Sequence, residues 1–289
     1  MKLVTFETDR KLAAGYIDDG HAVACVTGAG ALTAIRDLLS DGHADLSAWT
    51  AKGGERFALA DVRLLAPIPE PRRDILCVGK NYRAHAAEFH SSGFDSTGKD
   101  AVPDYPVIFT KAMTSVVGPG DEVRGSLDPT GSVDYEGELG VIIGKPCFQV
   151  PKAQAMEHVF GYVIVNDVTS RLLQQRHNQW VIGKGLNTFC PMGPWILTAD
   201  EVADPTAQRV ETRINGELRQ DATVADLIFD IPTLIEVLSS TMTLLPGDII
   251  ATGTPEGVGI GFRPPKYLVA GDRMSVSITG LGTLENTIV

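Results

Sequence analysis

Cysteine is scarce in this chain of 289 residues: Cys25, Cys77, Cys147 and Cys190 stand far apart, with no CxxC and no zinc spacing. That argues against a disulfide scaffold or a cysteine zinc site. The four read as reduced, mostly buried thiols, so a cytoplasmic protein is expected. No basic motif flanks any of them, and a nucleophilic thiolate would lack its activating cation. Long hydrophobic runs are lacking too. Stretches such as Val159 to Val165 are far too short to span a bilayer. Met1 to Asp9 contains no apolar segment of the signal-peptide kind, and none is expected to act as one. Positive charge is in the minority: 25 Lys and Arg stand against 36 Asp and Glu, a formal net charge of -11. Nucleic acid and anionic membrane surfaces are poor partners for such a chain. A small anionic substrate stays possible, because a bound metal can invert the local field.

What is present suits a globular protein: the hydrophobic content of 44% is enough for a sizeable core. Residues 1–70 alternate short β-like runs with turns around one predicted helix, Ala31 to Leu39. The segment Ala66-Pro67-Ile68-Pro69-Glu70-Pro71 then favours an extended, stiff connection. A small N-terminal domain (1–70) and a larger catalytic domain (71–289) are expected. Beyond the prolines, buried strands are predicted at Asp74 to Gly79, Val107 to Lys111 and Tyr162 to Asp167. Asn215-Gly216 signals a type I′ hairpin. Helices are predicted from Arg83 to Phe89 and after Asp230, a suitable N-cap. Strands outnumber helices and do not alternate with long ones, which favours an α+β architecture over a doubly wound sheet.

Several groups of residues could carry chemistry. Asp134-Tyr135-Glu136-Gly137-Glu138 precedes the apolar run Leu139 to Ile143. On one strand its three carboxylates share a face and repel. They are either a site for a hard divalent cation or the solvent face of an amphipathic strand. Asp167, at the exit of a buried strand, is either a further oxygen ligand or a helix N-cap. Arg171 and Gln174 sit side by side on a helical turn and could donate to a carboxylate or oxyanion. His85 and Glu88, at i and i+3, match a water-activating pair, or a chance pairing on a surface helix. The segment His90 to Asp104, rich in Ser, Gly and Asp, reads as a mobile loop or lid. Gly183-Lys184-Gly185 is not a phosphate loop, since Asn178 stands where Gly is required and Gly185 follows the lysine. Lys184 is an electrophilic cation near the metal or a surface lysine. The glycines 253, 257, 259 and 261 read as a loop presenting backbone N–H groups, with the substrate as one target.

These segments together resemble the fumarylacetoacetate hydrolase family. Val78-Gly79-Lys80-Asn81-Tyr82 with His85 and Glu88 opens the series, followed by Tyr105 to Lys111. Asp134 to Leu139, Asn166 to Arg171, Lys184 with Thr188 to Pro194, and Pro246 to Pro255 complete it. The resemblance covers roughly residues 73–289, and the short N-terminal part looks like that of longer bacterial members. It implies an α+β fold built as a mixed β-sandwich roll, and a homodimer. Glu136, Glu138 and Asp167 then match the metal ligands, for Mg2+, Mn2+ or Ca2+, while Asp134 does not. His85 and Glu88 match the water-activating dyad, and Lys184 a group offsetting developing charge. Arg171, Gln174, Gly253, Thr254 and Lys111 match substrate-contacting segments. Gly185 and Asn187 depart from the Ser and Asp of many relatives. The implied activity is hydrolysis of the C–C bond of a 2,4-dioxo acid (an acylpyruvate, as in aromatic catabolism) to pyruvate and a carboxylic acid. Decarboxylation of oxaloacetate, isomerisation of an oxo-diacid, and a non-catalytic binding role are the alternatives.

Overall fold

The computed structural model describes residues 1–9, 11–95 and 100–289. The α+β expectation holds. Among the described residues, twelve strands join in one large mixed sheet and five in a second. The strand Gly137–Ile143 lies deep in the large sheet, antiparallel to Val159–Asn166 on one side and Ile249–Ala251 on the other. Its side chains alternate between two cores. Leu139, Val141 and Ile143 pack toward the second sheet with Val210, Val276 and the helix Ile231–Ser239. Ile142 faces Leu3, Ile35, Val163 and Ile249 on the opposite side. A strand covered on both faces needs an unbroken apolar run, which this segment supplies. Each such side chain stabilises by roughly 1.5–3 kcal/mol on burial, and that helps offset the cost of charged groups at the strand's end.

Other local predictions fare well. The helix Ala31–Leu39 has the expected bounds. Asp230 caps Ile231–Ser239 by accepting from the Thr233 N–H at 2.9 Å. The hairpin Arg209–Ile214/Glu217–Thr223 turns on Asn215 (φ 52°) and Gly216 (φ 83°), both in the left-handed region that the type I′ turn demands. Strand and helix ends moved. The helix predicted to stop at Phe89 runs Arg83–Ser92 and ends on Gly93 at φ 84°. His90 to Ser92 are therefore helical, not loop. Residues 96–99 of the predicted lid lie outside the described residues.

Strand register gathers the site at one edge. Gly137 pairs with Asn166, so the start of one strand meets the end of its neighbour. Ile249–Ala251 runs parallel to Ile75–Gly79, so Thr252 to Thr254 and Lys80 to Tyr82 leave toward the same side. Asn81 locks these two exits together. Its amide donates to the Thr252 carbonyl at 2.8 Å and the Phe229 carbonyl at 3.0 Å. The helix that begins at Arg83 is thereby held against the sheet edge. The N-terminal strand Lys2–Glu7 extends the same sheet by pairing with Cys190–Thr198.

Candidate active site

Glu136, Glu138 and Asp167 converge at this edge. One oxygen from each lies within 4.8 Å of the others, and all three residues are buried. Gly137 permits this packing. A Cβ there would come within 2.3 Å of Thr212 Oγ1 on the second sheet. Three buried cations are threaded between the acids. Lys184 Nζ lies 2.8 Å from Glu136 Oε2 and 2.7 Å from Asp167 Oδ2. Arg171 Nη1 is 2.6 Å from Glu136 Oε1, and Lys111 Nζ is 2.6 Å from Asp167 Oδ1. Glu138 has no ion pair among the described residues. It accepts from the Gly253 N–H at 2.8 Å.

The electrostatics follow from this distribution. Burial alone would raise the Glu136 carboxyl, but Lys184 and Arg171 outweigh it and hold the group far below its usual range. Glu138 moves the other way. Burial first, then Asp167 and Glu136, push it well above 4.5. Burial would lower Lys184 and Arg171, yet their carboxylate neighbours hold both above their ordinary values. Counting Asp134, four buried carboxylates face three buried cations among the described residues. An all-oxygen set with one more carboxylate than it has cations, Glu138 being the one without an ion pair among the described residues, fits a hard divalent cation.

Asp134 corrects the expectation of one continuous strand. Val133–Asp134 pairs with Thr169–Ser170, and the regular strand restarts only at Gly137. The Asp134 carboxylate turns from the triad toward Arg171 Nε, 2.8 Å away, and the N–H groups of Gly259 and Ile260. The glycine loop is likewise turned inward. Its N–H groups serve carboxylates: Gly253 serves Glu138, Gly257 serves Glu88, and Gly259 serves Asp134.

His85 Nδ1 lies 3.2 Å from Glu88 Oε2, and Gly257 N–H donates to both Glu88 oxygens at 3.0 and 3.2 Å. The imidazole is buried and lines the same cleft as Glu136, Glu138, Arg171 and Lys184. The helical turn Arg171–Arg176 sets Arg171 Nη1 3.3 Å from Gln174 Oε1, as the i, i+3 spacing predicts. Arg171 Nη2 is buried and has no hydrogen-bond partner among the described residues. Thr254 Oγ1 donates to the Gly137 carbonyl at 3.0 Å and accepts from Gln220 at 2.7 Å. Phe89, Phe109 and Trp180 form the apolar wall, and Lys184 Nζ stands 4.9 Å over the Phe109 ring. The cavity among these side chains is small, about 10 Å³.

Three residues went unassigned in the sequence. Gln220, on the second hairpin strand, is fully buried and bridges Gly137 N–H to Thr254. Asn81 joins the strand exits. Lys80, at φ 56°, lines the cleft and reaches Asp95 at 2.7 Å and the Asp100 carbonyl at 3.1 Å. No local signal marks Gln220; Asn81 and Lys80 stood within a quoted motif. Asn187 is exposed.

Lys111 spends its ammonium on the protein in this arrangement. Its ammonium serves Asp167, the Val168 carbonyl and the Lys184 carbonyl, and the side chain is fully buried. Lys111→Met would leave Asp167 short of one partner. Breaking one side of a buried pair costs about 3–5 kcal/mol. The expected outcome is a lower urea midpoint in EDTA, with a smaller deficit once Mn2+ is added.

The family model described as fumarylacetoacetate (FAA) hydrolase C-terminal matches residues 74–289. The chain is 49% identical over 248 residues to the oxaloacetate tautomerase YisK of Bacillus subtilis (strain 168), covering 84% of this chain and 80% of that one. A solved fumarylacetoacetate hydrolase from psychrophilic Exiguobacterium antarcticum superposes with a TM-score of 0.82 at 41% identity, over 100% of this chain and 99% of that one. The maleylpyruvate hydrolase from Sphingobium sp. SYK-6 does so with a TM-score of 0.77 at 33% identity, with the same coverage. Among the described residues no helix is long and apolar enough to cross a membrane.

Proposed function

The chain belongs to the fumarylacetoacetate hydrolase family, and from that premise we propose that it hydrolyses the C–C bond of a 2,4-dioxo acid. The observation carrying this reading is the His85–Glu88 dyad, which opens on the same cleft as the carboxylate triad. Glu136, Glu138 and Asp167 would hold Mg2+ or Mn2+. When bound, the ion supplies Lewis-acid polarisation of a 2-oxo acid.

The protein's own groups do the rest. Glu88 accepts the Nδ1 proton of His85, which leaves Nε2 as the base. Nε2 takes a proton from water as the water oxygen attacks the distal carbonyl. The bond between that carbonyl carbon and the methylene carbon breaks. Its electron pair passes to the pyruvate fragment as an enolate, and the acyl part leaves as a carboxylic acid. The His85 imidazolium returns its proton to the methylene carbon, giving pyruvate and restoring the base. Arg171 Nη2, buried and without a partner among the described residues, donates to the substrate carboxylate. Lys184 offsets negative charge as it develops. Gly253 and Gln174 contribute less directly. The first orients Glu138 and the second supports Arg171.

A second reading has its own support. The cleft encloses only about 10 Å³, room for about one water, so a substrate must displace what lines it, and a compact one asks least. Oxaloacetate is such a substrate, and the 49%-identical relative is an oxaloacetate tautomerase. Steady-state assays with Mn2+ on acylpyruvates and oxaloacetate separate the two. Hydrolysis with kcat/KM on the order of 10⁴ M⁻¹ s⁻¹ or above, abolished by EDTA, is expected for an acylpyruvate. Turnover of oxaloacetate alone would replace the first reading with the second. No metal-dependent turnover of either would favour a binding role.

A further inference from the structure

We infer that Asp134 is a positioning residue that registers the dyad helix against the carboxylate triad through the glycine loop 257–261. This deepens the proposed function and rests on its reading of His85 and Glu88 as the dyad.

Asp134 is fully buried, and among the described residues its carboxylate accepts from four donors. Oδ1 accepts from Gly259 N–H at 2.6 Å and Tyr135 N–H at 2.9 Å. Oδ2 accepts from Arg171 Nε at 2.8 Å and Ile260 N–H at 3.1 Å. The adjacent Tyr135 hydroxyl donates to the Gly257 carbonyl at 2.7 Å. Two consecutive residues thus grip the loop at both ends. The loop in turn grips Glu88 through the Gly257 N–H. Its glycines allow these approaches. A Cβ on Gly259 would lie 2.6 Å from Asp134 Oδ1, and one on Gly261 would lie 1.8 Å from Glu88 Oε1.

Glu88 therefore owes its place to more than its own helix. The route runs from Asp134 to Gly259, along the loop to Gly257, and on to Glu88 and His85. The same carboxylate fixes Arg171, whose Nη1 touches Glu136. A charged acceptor surrounded by four donors holds its geometry better than a neutral one. Asp134→Asn is a sharp probe. Wherever its NH2 group is placed, it faces an N–H and leaves donors unpaired. The shape is kept while one side of the bracket fails.

The test uses the Mn2+-loaded full chain. In D134N, the amides of Gly257, Gly259 and Ile260 and of the helix Arg83–Ser92 should exchange about tenfold faster or more, while Val159–Asn166 is unchanged. Mn2+ affinity by calorimetry should stay within about threefold, since Asp134 is not a ligand. Hydrolytic kcat should fall about a hundredfold. The double variant D134N/E88Q should lose clearly less than the product of the two single losses, because much of the Asp134 effect passes through Glu88 while the rest passes through Arg171. Additive losses, unchanged exchange, or an Mn2+ loss matching the kcat loss would each overturn the inference. Should D134N fail to fold, Gly261→Ala presses on Glu88 without touching Asp134. It should reproduce the faster Gly257 exchange at unchanged Mn2+ affinity, and unaltered exchange there would overturn the inference. The exchange arm needs no substrate, so it stands even if the hydrolase reading fails.

Discussion

Glu138→Gln is expected to weaken Mn2+ binding at least a hundredfold while making the metal-free protein more stable. The two effects have one cause. Glu138 sits beside Glu136 and Asp167, without an ion pair of its own among the described residues. Burial and these two neighbours raise its pKa well above 4.5. The sign follows from proton counting. Between 4.5 and the raised folded value, the folded state binds more protons than the unfolded one. Stability of the metal-free protein therefore falls as pH rises through that window. Gln carries no charge, and its Oε1 can still accept from Gly253 N–H. The variant should gain about 1 kcal/mol at neutral pH, which for a chain of this size is roughly 2 °C.

Metal reverses the order. A lost charged ligand worth two decades of affinity is about 2.7 kcal/mol. Saturating Mn2+ stabilises the native protein in proportion to its affinity, so the unmodified chain should overtake the variant. Calorimetric titration and melting curves with EDTA or Mn2+ measure both quantities. An unchanged Mn2+ affinity sinks the ligand assignment. A variant less stable in EDTA sinks the electrostatic account of Glu138.

His85→Ala should lower acylpyruvate hydrolysis about a thousandfold, within the range for removing a general base. Decarboxylation of oxaloacetate should fall less than about tenfold, because loss of CO2 needs no proton taken from water. Mn2+ affinity should stay unchanged, since the imidazole is paired to Glu88 and is not part of the triad. The ring also stacks near Phe89 at 6.0 Å, so melting curves must accompany the kinetics. If both activities survive, the dyad is wrongly assigned. If both vanish together with Mn2+ affinity, His85 acts on the metal site itself.

The local chemistry was legible because it is written in neighbours. Glu136 and Glu138 are two residues apart on an extended chain, so their common face follows from backbone geometry. Asn215-Gly216 states its turn, Asp230 its cap, and Arg171 with Gln174 its helical pairing, each within four residues. The ordered motifs carried the family and, with it, the fold class. The break after Asp134 was not legible. It depends on Thr169–Ser170 pairing with Val133–Asp134, across more than thirty residues.

By itself, then, the sequence determined the elements, the acidic character of the site and the residues able to bind a hard cation. Tertiary structure alone decided which acid is paired and which is not. The register Gly137 to Asn166 sets Asp167 beside Glu136. Lys111 and Lys184, which both contact Asp167, come from separate segments of the chain. The glycine loop, which spacing left free to face a substrate, spends its N–H groups on Glu138, Glu88 and Asp134. Periodicity reports which face a residue occupies. It carries no information on the partner that a buried charge meets across the fold, because that pairing is fixed by long-range strand register and by the need to satisfy every buried polar group at once.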